Sequence, residues 1–150
     1  MPLVEQSIEI DSPVEAVFGM IADQPERQAE WWPPIELQER VSPPPTELGS
    51  VSRYVYNMMG VKIRGEHEVL DLTPNKYLRV KTISGIDSQF EFFFQPSGAG
   101  TYLTIRVDYS LPGSVIGQLL NKLVIEKKNE DDLNQGLANL KAIMEREAHV

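Results

Sequence analysis

The stretch SQFEFFFQPSGAGTYLTIRVDYS, residues 88–110, decides the fold predicted from this sequence. It contains two runs rich in aromatic and β-branched residues, separated by the turn-like segment Ser97-Gly98-Ala99-Gly100. Two such runs around a short Gly-containing segment are typical of a β-hairpin. The sequence therefore predicts antiparallel strands over about 88–96 and 100–110.

Four of the five phenylalanines of the chain lie in the first of these strands. Successive side chains of a strand point to opposite faces, so Phe90, Phe92 and Phe94 share one face. The second strand alternates in the same way, and its apolar face carries Leu103, Ile105, Val107 and Tyr109. Together the two strands predict a broad apolar floor, which either packs as an ordinary core or lines a cavity.

Three further strands are predicted upstream, near 50–58, 61–72 and 76–84, because these segments have β-rich composition and turn signals between them. Turn signals at this spacing favour an antiparallel meander. Residues 4–10 alternate between apolar and polar side chains, which predicts one more, half-buried strand.

Two short helices are predicted after the first strand. Ser12 suits the N-cap of a helix over about 13–22, where apolar residues recur at helical spacing. Pro25 suits the start of a second short helix, which Pro33 would end. Residues 41–48 contain three consecutive prolines and predict an extended loop.

One long helix is predicted at the C-terminal end, from 115 to about 146, because apolar residues again recur at helical spacing. Its apolar stripe is interrupted at 126–132, where EKKNEDD has no apolar side chain. This part of the helix must therefore meet solvent or an opening. The order of strand, helices, strands and long helix predicts a single α+β domain over residues 1–150.

Composition narrows the classes of function. The net charge is -8, whereas proteins that bind nucleic-acid phosphates are normally basic. Cysteine is absent, which excludes disulfides and a cysteine nucleophile and fits a reducing compartment. No apolar run approaches the roughly 20 residues that span a bilayer, and the N-terminus lacks the regions of a signal peptide. We expect a cytoplasmic protein with no transmembrane segment and no nucleic-acid partner.

Few residues suit catalysis. His67 and His149 are the chain's two histidines, and no HxxxH or HxH spacing is present, so no metal site and no cofactor are predicted. His67 lies in phase with the apolar residues of its strand and is the one candidate acid–base group. A histidine in such a position is more often a satisfied core residue, and this alternative stays open.

Several stretches, in order, resemble the START-like superfamily (SRPBCC), which takes in polyketide cyclase-like and Bet v 1-like proteins. IEIDSPVEAVFGMIAD at 8–23 is similar to its opening strand and helix, and EWW at 30–32 stands where that group often has a tryptophan. GVKIRGEHEVLDLTPNKYLRV at 60–80 is similar to its central strand pair. Segments 111–123 and 137–147 are similar to its C-terminal helix. The resemblance covers essentially the whole chain and rests on the ordered set of segments.

The resemblance implies a helix-grip fold, in which a seven-stranded curved antiparallel sheet surrounds a long C-terminal helix and two short helices follow the first strand. It also implies a cavity between sheet and helix for an apolar molecule. The main hypothesis is therefore binding of a hydrophobic small molecule, such as a lipid or polyketide, for carriage or sensing. A polyketide cyclase/aromatase-like enzyme that uses His67 is one alternative, and a protein-interaction module, with a homodimer as one form of it, is another.

Strand parity and helical spacing select the residues that we expect to contact a ligand. In strand 50–58 one of two sets faces inward, either Arg53, Val55 and Asn57 or Tyr54, Tyr56 and Met58, and both sets remain candidates. The other expected contacts are His67, Val69, Val80, Phe90, Phe92, Phe94, Ile105, Val107, Tyr109, Leu120, Leu123 and Val124.

Three further residues have more than one interpretation. Trp31 and Trp32 guard an entrance beside the first helices or plug one end of the domain, and as exposed residues they would form the patch of an interaction module. Gly136 lies near the apolar face of the long helix. It either leaves room for a ligand or permits a close contact between helix and sheet.

Overall fold

The computed structural model describes residues 3–110 and 122–148, and it has the predicted α+β helix-grip fold. The elements in chain order are β1 (Leu3–Ile10), α1 (Val14–Ala22), a 3-10 turn (Pro25–Arg27), α2 (Gln28–Trp31), β2 (Ile35–Arg40), β3 (Val51–Met58), β4 (Val61–Thr73), β5 (Tyr77–Ser84), β6 (Asp87–Ser97), β7 (Gly100–Ser110) and α3 (Lys122–Ala148).

The seven strands form one antiparallel sheet in the order β1-β7-β6-β5-β4-β3-β2. Strands β2 to β7 follow each other as the predicted meander, and β1 pairs with the other edge of β7. Phe90 lies opposite Val107, and Phe92 lies opposite Ile105. The apolar faces of the two strands that decided the prediction therefore lie side by side, on the face that the helices cover.

β2 is the one strand that the residue pattern alone does not predict. Its register on β3 shifts between Ile35 and Leu37, which marks a β-bulge. The bulge leaves Ile35 and Gln38 buried and Leu37 exposed. The alternation of apolar and polar residues, which is the usual signal of a strand, is therefore lost in this segment.

α1 begins at Val14, and the predicted cap by Ser12 is wrong. The residue before the helix is Pro13, whose carbonyl accepts the first intrahelical hydrogen bonds, and no side chain caps the helix. Ser12 is instead buried at the junction of β1 and α1, where its carbonyl accepts a hydrogen bond of 2.7 Å from the Thr101 hydroxyl. Ser12 thus fastens the helix entry to β7.

The described part of α3 has 27 residues and is about 40 Å long. Its C-terminal end is tied to the 3-10 turn, because the Arg27 guanidinium binds both Glu30 and Glu147. The predicted beginning of this helix, residues 115–121, lies outside the described residues. The buried side of the described part carries Ile125, Leu133, Leu137, Leu140, Ile143 and Met144.

Gly136 gives α3 its close approach to the segment after α2. A Cβ atom on this residue would lie 3.4 Å from the carbonyl oxygen of Trp31 and 3.7 Å from Cδ of Pro33. Of the two interpretations of Gly136, close contact therefore describes its position, although the contact is with residues 31–33 rather than with the sheet.

Candidate functional site

Two narrow cavities, both open to solvent, reach into the fold between the sheet and the helices. The first, about 600 Å³ with its mouth, lies between the sheet and α3 and is lined by Trp32, Tyr56, Val107, Tyr109, Asn129 and Leu133 among others. The second, about 670 Å³ with its mouth, lies under α1 and the 3-10 turn and is lined by Met20, Trp31, Gln38, Val69, Val80 and Phe92 among others. Most of this volume is open to solvent, and the space that the centre of a water molecule can occupy is about 40 Å³ in the first cavity and about 60 Å³ in the second, so both are narrow and a ligand would have to move side chains of the wall.

His67 lies at the boundary of the two cavities, where it is 6% exposed. Its ring stacks on Tyr54 with 4.4 Å between centroids and meets Phe90 edge-to-face at 5.5 Å. Nε2 of Gln38 lies 3.3 Å from Nδ1 of His67 and donates to the Ser52 hydroxyl at 2.6 Å. In this arrangement Nδ1 of His67 accepts, and the proton of the neutral ring is on Nε2.

Burial lowers the pKa of His67 from 6.5 to about 4. The imidazole is therefore uncharged at neutral pH. A general base works best when its pKa lies near the working pH, so His67 is a weak base at this position. Its Nε2–H group is instead suited to donate a hydrogen bond to an oxygen atom of a ligand.

Tyr54, which supports His67, is fixed by the turn between β5 and β6. Its hydroxyl donates to the Ser84 carbonyl at 3.0 Å and accepts from the Ile86 amide at 3.0 Å. Gly65 and Gly85 leave the space for this hydroxyl, because a Cβ atom on either residue would overlap with it. Gly85 also has a φ of +90°, which favours glycine. Tyr54 is thus held rigidly at its far end.

Polar atoms gather where the first cavity meets α3. The Tyr56 hydroxyl lies 3.5 Å from Oδ1 of Asn129. Burial raises the pKa values of Tyr56 and Tyr109, so both hydroxyls keep their protons at neutral pH. The indole N–H of Trp32 faces Tyr56 and the Tyr109 hydroxyl faces Asn129, but within the described residues neither donor has a partner in good hydrogen-bond geometry. Buried donors with such loosely placed partners cost free energy unless water or a ligand accepts from them.

The fold of this chain is found in known proteins. The model of a family described as polyketide cyclase / dehydrase and lipid transport matches residues 1–145. The chain belongs to this family. The predicted resemblance to START-like proteins is thereby confirmed, and family membership supports the binding of hydrophobic ligands in general.

Several solved structures are similar to this chain over nearly its whole length. A protein of Thermus thermophilus is 26% identical, with a TM-score of 0.77 over 94% of this chain and 95% of that chain. A START superfamily protein from Mycobacterium smegmatis is 16% identical, with a TM-score of 0.72 over 96% and 97%. Major latex-like protein 151 of Panax ginseng is 14% identical, with a TM-score of 0.71 over 95% and 96%. No curated protein sequence matches.

The structure of this chain shows which side chains of β3 face inward. Tyr54 and Tyr56 line the first cavity. Arg53 lies on the outer face, where its side chain is 58% exposed and its Nε atom lies 2.8 Å from Glu39. Arg53 therefore does not line either cavity, because the alternation of the strand gives the inward positions to the tyrosines.

The residues predicted on the other strands divide between the cavities and the solid core. The first cavity is lined by His67, Phe90, Val107 and Tyr109, and the second by His67, Val69, Val80, Phe90 and Phe92. Phe94 and Ile105 are buried but line neither cavity. Phe94 meets Phe18 of α1 edge-to-face at 5.1 Å. α1 packs on that end of β6 and β7 and fills the space over it.

The helix residues predicted to contact a ligand are placed differently. Leu123 and Val124 are 74% and 46% exposed and line neither cavity, and Leu120 lies outside the described residues. The helical phase explains the error, because steps of four residues back from Leu133 reach Asn129 and Ile125 rather than the predicted pair. Asn129 lies in the polar interruption 126–132, which therefore reaches the first cavity at this residue.

Trp31 and Trp32 are both buried, with ring centroids 5.5 Å apart. Trp32 lines the first cavity and Trp31 lines the second. Nδ2 of Asn139 donates to the Trp31 carbonyl at 3.1 Å, which fastens this segment to α3. The exposed tryptophan patch of the interaction-module hypothesis is therefore wrong.

Sequence reasoning missed several residues that line the cavities. Gln38 and Ile35 belong to β2, whose bulge hides the strand pattern. Asn129 could have been predicted, since a polar interruption in the apolar stripe of a helix indicates residues that face solvent or a cavity. Thr82 lies on the same face of β5 as Leu78, so the alternation of the strand could have indicated it. Its hydroxyl donates a hydrogen bond to the Ser88 carbonyl and accepts one from the Ser88 amide.

The structure also bears on metal binding and membrane insertion. Over residues 3–110 and 122–148, no three His, Asp or Glu side chains lie close enough together to hold a metal ion. In the same part of the chain, no helix is long and apolar enough to cross a membrane.

Proposed function

We propose that this protein binds a hydrophobic small molecule, such as a lipid or polyketide, in the first cavity and carries or senses it. The observation that carries the proposal is an apolar cavity between sheet and α3, whose wall contains two buried donors, Trp32 and Tyr109, that lack a well-aligned acceptor in the part of the chain that the structure describes. Membership of the family supports hydrophobic binding in general.

The energetics favour a ligand that is apolar over most of its surface and carries an oxygen atom. Each methylene removed from water contributes about 0.8 kcal/mol, which the apolar wall can supply. Each buried donor that gains an acceptor recovers part of a desolvation cost of about 1–3 kcal/mol. An oxygen placed near Trp32 and Tyr109 would therefore orient the molecule as well as strengthen its binding.

Catalysis by His67 is less well supported. With a pKa of about 4 and a proton held on Nε2, the residue is suited to donate a hydrogen bond rather than to abstract a proton. If the protein were a cyclase-like enzyme, His67→Ala would abolish turnover. If binding alone is the function, there is no turnover to lose, and His67→Ala costs at most the one hydrogen bond that its Nε2–H group gives to a ligand oxygen, about tenfold in affinity.

The proposal is tested on the natively purified protein. Organic extraction followed by mass spectrometry, compared with a mock purification, should recover an apolar compound in a fixed ratio to protein. Val107→Asp places a charge in the first cavity and should abolish recovery. Thr104→Asp places the same charge on the outer face of β7 and should not. Equal recovery from both variants, with both folded by circular dichroism, contradicts a ligand in this cavity.

A further inference from the structure

The wall between the two cavities, here called the partition, is centred on Phe90. Three residues line both cavities, namely Gln28, His67 and Phe90. The Phe90 ring meets Trp32, which lines the first cavity, edge-to-face at 5.6 Å. It stacks on Phe92, which lines the second, at 6.5 Å. Removal of this one ring would therefore bring the two spaces together.

Phe90 is also the member of the partition best able to move. His67 is held by the stack on Tyr54 and by the amide of Gln38. The Phe90 side chain has no polar atom and so makes no hydrogen bond, and it is less buried than Phe92. A phenylalanine in a gap can change its χ1 rotamer without breaking a hydrogen bond, and this would open a path from one cavity to the other.

The second cavity contains an unused hydrogen-bond acceptor. Gln38 is buried, and its Oε1 atom has no partner among the described residues, while its Nε2 atom is committed to Ser52 and His67. Gln38 lines the second cavity and not the first. A ligand hydroxyl reaching this position would donate to Oε1 and remove the cost of an unpaired buried carbonyl oxygen.

A carboxylate would fit the second cavity less well. The guanidinium of Arg40 lines this cavity, but it donates to the Asp23 carbonyl at 3.0 Å and to the Thr46 hydroxyl. Its Nε atom also lies 3.9 Å from a carboxylate oxygen of Glu26. An anionic group would have to displace these partners and would meet the charge of Glu26, whereas a neutral hydroxyl would not.

We propose that the two cavities are one binding site for an elongated ligand and that Phe90 sets the length of ligand accepted. The apolar body of the ligand, with the oxygen atom that accepts from Trp32 and Tyr109, lies in the first cavity, and a second, hydroxyl-bearing end passes Phe90 and His67 to reach Gln38 in the second. This inference rests on the proposed function and specifies the class of its ligand.

The test measures how binding depends on chain length, with straight-chain primary alcohols from hexanol to dodecanol as probes in isothermal titration calorimetry. Each methylene that gains apolar contact should strengthen binding about fourfold, until the available space is filled. In Phe90→Ala this gain should continue to longer alcohols than in the wild type. In Phe90→Trp it should stop at shorter ones.

Phe93→Ala is the matched control, because Phe93 lies on the opposite face of the same strand and packs on Tyr77 at 5.2 Å. It should leave the length dependence unchanged.

The hydroxyl-bearing end of the ligand is tested with Gln38→Met and with the methyl ether of each alcohol, which lacks the hydroxyl proton. Wild-type protein should bind the longer alcohols about tenfold more tightly than their ethers, and Gln38→Met should abolish this preference.

The outcomes separate this inference from the function on which it rests. If folded Phe90→Ala and Phe93→Ala show the same length dependence, or if alcohols and ethers bind equally to the wild type, the single elongated site is overturned while apolar binding stands. If no alcohol binds the folded wild type or any folded variant, the proposed function is contradicted, and this inference with it.

Discussion

His67 lies on Tyr54 with the two rings only 17° from parallel and 4.4 Å between their centroids. The Tyr54 hydroxyl is fixed in turn by the backbone of Ser84 and Ile86. The position of the buried imidazole therefore depends on the turn between β5 and β6. A change that frees Tyr54 should loosen both this turn and the partition between the cavities.

Tyr54→Phe removes one hydroxyl and leaves a backbone carbonyl and a backbone amide without their partner. Because the Ile86 amide is buried and the hydrogen bond to the Ser84 carbonyl is partly buried, we expect the free energy of unfolding to fall by about 1–3 kcal/mol. Chemical denaturation followed by circular dichroism measures this change. Tyr102→Phe removes the same atom from an exposed side chain of β7 and should change stability by less than about 0.5 kcal/mol. Equal effects of the two substitutions would contradict the role assigned to Tyr54.

His67 should make the protein less stable in mild acid. The folded pKa of about 4 lies below the unfolded value of 6.5, so between these pH values the unfolded chain binds a proton that the folded chain does not. The stabilisation is therefore complete above pH 6.5 and is lost as the pH falls toward 4, by roughly 3 kcal/mol in all.

Denaturation at a series of pH values measures this loss, and His67→Phe should remove the part due to His67. His149→Gln is the control, since it removes the other histidine and keeps His67. If His67→Phe has the same pH dependence of stability as the wild type between pH 4 and 6.5, the buried neutral imidazole is refuted.

Gly136 should accept alanine and reject a larger side chain. The added Cβ atom of Gly136→Ala makes an ordinary contact, 3.4 Å from the Trp31 carbonyl oxygen. The better helix propensity of alanine should then raise stability by about 0.5–1 kcal/mol. Gly136→Leu should instead displace residues 31–33 and lower stability by about 1–3 kcal/mol.

Thermal unfolding compares these variants with Ala138→Gly, which makes the reverse change at an exposed position of α3 and should cost about 1 kcal/mol. A destabilised Gly136→Ala would show that α3 and the segment after α2 approach more closely than the structure has them.

Most of the sheet could be predicted from the sequence because local signals agree with the final fold. In the hairpin of β6 and β7, for example, the turn residues and the alternation both specify the same pairing. β2 lacked these signals, since its bulge puts Ile35 and Gln38 on one face at a spacing of three residues. Its assignment needs contacts with β3, which only the folded chain makes.

The site was harder to predict than the fold. Parity correctly placed Phe90 and Phe92 on the covered face, but it cannot distinguish a cavity wall from the solid core around Phe94, because that depends on what packs above. Likewise, the hydrogen bond between Gln38 and His67 joins residues 29 positions apart. No local pattern encodes such a partner, which comes from the register of two neighbouring strand pairs.

The most direct test of the central claim uses the fluorescence of Trp32, which lines the first cavity. Trp31→Phe leaves Trp32 as the one tryptophan of the chain, and dodecanol serves as the ligand. We predict a saturable change in emission with one alcohol bound per protein. Val107→Phe, which fills the cavity, should weaken the binding at least about tenfold, and Thr104→Phe on the outer face should leave it unchanged. The absence of a saturable change, or an equal change in both variants, would contradict ligand binding in this cavity.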